Sequence, residues 1–204
     1  MREQSQKTAR ERSLARLYKF MGKSLDMLPD SILKNPAFKG VNLATGRLSG
    51  ARTSEFYEGW VHMFQSAEYM HISRYLILFL HEVGHGLEEG LLAGNFNYLF
   101  QDNQSPLPFL RTAHRVISDA GRFLGTNFLA GERQRRGAQA SFTEFIPELF
   151  MIYISQGNRL RQFIRDTPEE HVREMWEGVY EVFRIIFEGV EYYESGEEFH
   201  PLNP

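Results

Sequence analysis

Apolar residues recur along this chain at spacings that switch between helical and extended, and the strongest recurrence lies near its middle. Leu76, Leu80, Val83, Leu87 and Leu91 fall at i, i+4, i+7, i+11 and i+15, the stripe of a helix seated in a core. The pattern predicts a helix over about residues 73–92, with Gly84, Gly86 and Gly90 inside it. Each interior glycine costs about 1 kcal/mol against alanine, so the three predict close approach of another backbone, with Gly90 alternatively marking a fray.

Ahead of this helix, Leu14, Leu17, Tyr18, Met21 and Leu25 have helical spacing, which predicts an amphipathic helix from Thr8 to Leu28 stopped at Pro29. A helical turn follows over 29–36, then a strand over 38–44, a Gly- and Ser-rich loop or hairpin over 45–52, and a second strand over 56–64 where apolar and polar residues alternate. Residues 94–108 are aromatic and turn-rich, a surface loop or one wall of a cleft. Further helices are expected over about 110–124, from Ser141 onward, and over 168–193, the last with glutamates on its outer face; residues 131–140 form a polar connection. The predicted class is α+β and mainly helical: a basic N-terminal helix (1–28), one domain (29–194) and a loose tail (195–204).

Composition narrows the function classes. The chain has no cysteine, so disulfides and thiolate ligands are excluded and any metal must be held by His, Asp or Glu. Apolar runs such as Tyr75–Leu80 are far too short to span a bilayer, and the polar N-terminus lacks a secretory apolar segment. No membrane association is expected, and the default location is cytoplasmic, with secretion or export left open. Residues 1–52 carry 11 Lys and Arg against 4 Asp and Glu, and the remainder carries 12 against 22. Solvated charge on the leading helix accounts for this without a nucleic-acid partner.

The chemistry sits on the central helix, where His81-Glu82-Val83-Gly84-His85 forms an H-E-x-x-H motif. Histidines four apart project from one face and can reach one metal ion, with Glu82 beside it as a base. The plain alternative is a buried helix whose histidines are satisfied by hydrogen bonds. A second segment, Ser141 to Tyr153, places Glu144 and Glu148 four apart in an apolar context, where unpaired carboxylates are costly. Glu144 could be the third ligand and Glu148 a hydrogen-bond partner of a ligating histidine. Alternatively, Ser141-x-x-Glu144 is a capping box in which Glu144 bonds back to the helix start.

Together, His81-Glu-Val-Gly-His85-Gly-Leu-Glu88 and Glu144-Phe-Ile-Pro-Glu148-Leu-Phe resemble the gluzincin peptidases of the anthrax lethal factor catalytic-domain type. Their signature is H-E-x-G-H-x-x-D/E with a later E-F-x-x-E-x-F, and the likeness covers roughly residues 29–155. The resemblance implies a zincin-like fold, one zinc ion (Zn2+) bound by His81, His85 and Glu144, Glu82 as general base, and Glu88 and Glu148 orienting the histidines. Two departures stand out. Pro147 replaces a small residue and would strain or kink an interior helix. The family's tyrosine ahead of the third ligand is missing from residues 133–140, so an arginine there or a tyrosine elsewhere would have to stabilise the oxyanion. The metzincin pattern is excluded, because Glu88 replaces its glycine and Leu91 its third histidine.

The functional expectation is a zinc-dependent endopeptidase acting on a protein or peptide, which could pair with an exposed edge of the strand ahead of the metal helix. A catalytically silent zincin serving as a binding or regulatory module is the alternative. A di-iron carboxylate oxidoreductase built on Glu68-x-x-His71 and Glu82-x-x-His85 is remote, since ten residues between the pairs cannot form the two helices it needs.

Overall fold

The computed structural model describes residues 2–44, 54–64, 72–122, 137–139, 141–195 and 198–201. In chain order its elements begin with helix α1 (Arg2–Asp26), the single turn α2 (Asp30–Leu33) and strands β1 (Gly40–Ala44), β2 (Ser54–Tyr57) and β3 (Trp60–Phe64). Helix α3 (Ile72–Leu92), two 3-10 turns (Asn97–Leu99 and Gln101–Asn103) and helix α4 (Leu107–Asp119) follow. Helices α5 (Phe142–Asp166) and α6 (Glu170–Ile186) and a hairpin of β4 (Tyr192–Ser195) and β5 (Glu198–Pro201) complete the described chain. The class is α+β and mainly helical, with a small mixed sheet.

The apolar stripe of α3 is what organises the packing. Leu76, Leu80, Val83, Leu87 and Leu91 are all buried, each contributing about 1.5–3 kcal/mol of gross burial energy. Tyr75 and Phe79 are buried too, so α3 is covered on most sides, chiefly by α5 and also by β2, β3 and α1. The apolar face of α1 joins this core through Leu17 and through Phe20, whose ring centroid lies 6.2 Å from that of Tyr75.

The sheet has the order β1-β3-β2, with β1 parallel and β2 antiparallel to β3. The stretch read as one strand over 56–64 is therefore a hairpin. Glu58 and Gly59 have φ of 50° and 86°, a left-handed pair that turns the chain tightly between Tyr57 and Trp60. Aromatic and aliphatic residues on both sides hid the turn, and only Gly59 signalled it. The loop or hairpin expected over 45–52 lies outside the described residues.

Helix ends also depart from the periodicity. Helix α4 stops at Asp119, and α6 stops at Ile186 because Glu188 and Gly189 take φ of 55° and 75°. Tyr192 and Tyr193, read as helical, lie in β4, and Glu198–Pro201 pairs with it, so part of the expected loose tail is a strand packed through β4 on α5. The expected acidic face holds: Val172, Trp176, Val179 and Phe183 of α6 are buried, while Glu174, Glu177 and Glu181 are exposed.

Candidate metal centre

Helix α3 turns His81, His85 and Glu88 toward α5, which brings Glu144 and Glu148 from some sixty positions further along the chain. What lets the two helices approach is a glycine against a proline. A Cβ on Gly84 would lie 2.5 Å from the Cα of Pro147, so the α3 backbone lies directly against that of α5 here. Pro147, expected to strain or kink α5 if interior, lies inside the helix without breaking its φ/ψ, and the helical break lies at Gln156, with φ −141° and ψ 34°. Thr143, whose carbonyl loses its helical partner to Pro147, is exposed and can bond to water. The other two glycines are explained by side chains. Gly86 faces the ring of Phe56, and Gly90, far from marking a fray, is buried beneath Asn35 and Phe96.

His81 Nε2 lies 3.3 Å from Glu144 Oε2, and its Nδ1 lies 3.7 Å from Glu148 Oε2. His85 Nδ1 lies 3.6 Å from Glu88 Oε2, and the two imidazole centroids are 5.1 Å apart, edge to face. Each histidine thus turns Nδ1 to a carboxylate and keeps Nε2 for the centre. One ligating atom from each of His81, His85 and Glu144 can be chosen so that all lie within 4.8 Å of one another, and this trio could hold a metal ion. The donor set fits: two ligands about 2.0–2.1 Å from a shared tetrahedral ion stand about 3.4 Å apart, close to the His81–Glu144 separation. Glu148 is fully buried with neither carboxylate oxygen hydrogen-bonded, and His81 Nδ1 is likewise without a partner, atoms that need each other if either is to be satisfied.

Electrostatics bind the cluster together. Burial works against a charged His81, but its pairing with Glu144 and the nearby carboxylates of Glu148 and Glu82 outweigh it and raise its pKa to about 9. The same pairing with His81 holds the Glu144 carboxyl below its ordinary range, against partial burial. Glu144 stays reachable from solvent, its side chain 39% exposed, whereas Glu148 is sealed. The capping-box alternative does not form: Ser141 N–H donates to the Gly137 carbonyl, and Ser141 Oγ pairs with Thr143 Oγ1 at 2.7 Å. Replacing Glu148 with alanine is expected to weaken metal binding about 10–100-fold by leaving His81 unoriented, as metal titration of the folded variant would show.

Glu82 projects beside the trio, is 8% exposed, and accepts a hydrogen bond of 2.8 Å from Ser54 Oγ on β2. Sequence reasoning missed Ser54, since a serine opening a strand carries no signal. It also missed the fastening of the segment ahead of Glu144. His114 Nε2 donates to the Ala138 carbonyl at 3.0 Å and Ser118 Oγ to that of Gln139 at 3.1 Å, holding this turn on α4 with Gly137 against Glu144. Arg133, Arg135 and Arg136, considered for the oxyanion, and Glu68 and His71 of the di-iron alternative lie outside the described residues.

A polar cleft of 370 Å3 opens at the C-terminal end of α3, lined by Asp30, Lys34, Asn35, Asn95 and Glu188 among others, and no residue of the candidate metal centre lines it. Among the described residues no helix is long and apolar enough to cross a membrane. Compared with protein-family models, with curated proteins and with solved structures, the chain finds no match in any of the three.

Proposed function

We propose that the protein is a zinc-dependent endopeptidase of zincin-like architecture, related to the gluzincins its motifs resemble. The observation that carries this reading is the convergence of His81, His85 and Glu144 on one point, with the buried carboxylate of Glu82 beside it. Nitrogen and oxygen donors without thiolate suit zinc, and three protein ligands leave a fourth position open. Zinc bound there would acidify a water and polarise a peptide carbonyl.

The chain's own residues supply the rest. Glu88 and Glu148 hold the imidazoles, Glu82 accepts a proton and can return it to the leaving amine, and burial keeps competing water from its carboxylate. Among the described residues β2 is an outer strand of the sheet and packs against α3, so an extended peptide adding to its outer edge would run beside the trio. A silent member of the same architecture keeps the ligands without turnover. Digestion of a broad peptide library, abolished by a chelator, separates the two.

The first test is zinc per chain by elemental analysis. About one zinc in the wild type, with retention clearly weakened in Glu144→Ala, is the expected result. Equal retention in the variant would remove Glu144 from the ligand set, and no zinc in either protein would remove the metal reading altogether.

A further inference from the structure

We infer that Ser54 is a positioning residue for Glu82, fixing the carboxylate that moves the proton to the strand that would hold the substrate; this rests on the peptidase reading above. The Ser54 hydroxyl donates to Glu82 Oε1 at 2.8 Å. Glu82 is 8% exposed, and a carboxylate taken out of water that far needs a donor. Its neighbours along α3 offer none of their backbone N–H groups, which are engaged in the helix. The donor instead comes from β2, where Ser54 stands opposite Met63 in the antiparallel ladder and is fixed by it.

The geometric consequence is that two requirements are met by one element. A peptide seated on the edge of β2 that is outermost among the described residues would take its register from that strand, and Glu82 takes its orientation from the first residue of the same strand. The hydrogen bond occupies Oε1 and leaves Oε2 to receive the proton. Misplacement of a reacting group by about 1 Å costs on the order of 100-fold in rate, so an untethered Glu82 should slow the chemical step while leaving substrate affinity alone.

The test compares wild type, Ser54→Ala and Ser54→Thr, zinc-loaded, on one peptide selected from a library, together with thermal midpoints of the metal-free Ser54→Ala, Glu82→Ala and double variants. Expected are a fall in kcat of about 10–100-fold in Ser54→Ala with KM and zinc content unchanged, and recovery of most of it in Ser54→Thr. In the Glu82→Ala background, where no acceptor remains, Ser54→Ala should cost no further stability, and the midpoint shifts of the two single variants should not add. If the wild type cleaves and Ser54→Ala keeps its kcat, the positioning role falls while the peptidase reading stands. If the zinc-loaded wild type cleaves nothing, that reading falls and takes the positioning role with it. Non-additive midpoints would then mark the contact as purely structural, and additive ones would deny it even that.

Discussion

Glu82→Gln is expected to retain zinc and lose cleavage by about 100- to 10,000-fold, the range a positioned general base supplies. The substitution keeps the shape of the side chain, and its amide oxygen can still accept the Ser54 hydroxyl, so the fold and the trio of ligands should survive. What disappears is the ability to take up a proton near neutral pH. The decisive measurement is kcat on a single peptide, with zinc per chain determined on the same preparation. Undiminished turnover would end the proposed mechanism, whereas loss of both zinc and turnover would show that Glu82 is needed for the site's integrity and leave its role as base to other variants.

The second large effect is expected at Gly84. On helix propensity alone, alanine there would stabilise the protein by about 1 kcal/mol. Packing reverses the sign, because the added methyl would stand 2.5 Å from Pro147 Cα and 3.0 Å from its carbonyl oxygen, and backbone cannot swing aside as a side chain can. Overpacking of this kind costs about 1–3 kcal/mol, which in a chain of 204 residues lowers the melting midpoint by a few degrees. A shift of α5 away from α3 also draws Glu144 and Glu148 from His81, so zinc retention against a chelator should fall further than stability does. Gly86→Ala is the control. Its methyl meets the Phe56 ring at 3.0 Å, a side chain that can turn, and the effect on both readouts should be smaller. A Gly84→Ala protein as stable and as retentive as wild type would refute the close-approach argument.

The parts of this molecule that were legible in the sequence are those where one-dimensional spacing maps directly onto three-dimensional proximity. His81, Glu82, His85 and Glu88 share a helix, so their juxtaposition follows from 3.6 residues per turn. Glu144 and Glu148 were identifiable because carboxylates in an apolar helix demand a partner, although the spacing could not say whether that partner was His81 or the helix's own start. Ser54, His114 and Ser118 act through contacts between elements distant in sequence, and no local pattern marks them. The hairpin at Glu58-Gly59 escaped because strand-forming aromatic and aliphatic residues flank the turn directly on both sides. For Pro147 the local rule foresaw strain or a kink at an interior position; the chain stays helical through it, and Thr143, whose carbonyl loses its partner there, is exposed.

The seating of Gly84 on Pro147 also constrains the order in which this sequence can change. Any residue larger than glycine at position 84 collides with the α5 backbone whichever side chain stands at 147, so a change at Pro147 alone opens no room. Only a displacement of α5, made by substitutions elsewhere along the interface, would admit a side chain there, and the same displacement would move a metal ligand. The position is therefore an epistatic lock, in which the route to a better helix former passes through intermediates with a disturbed centre.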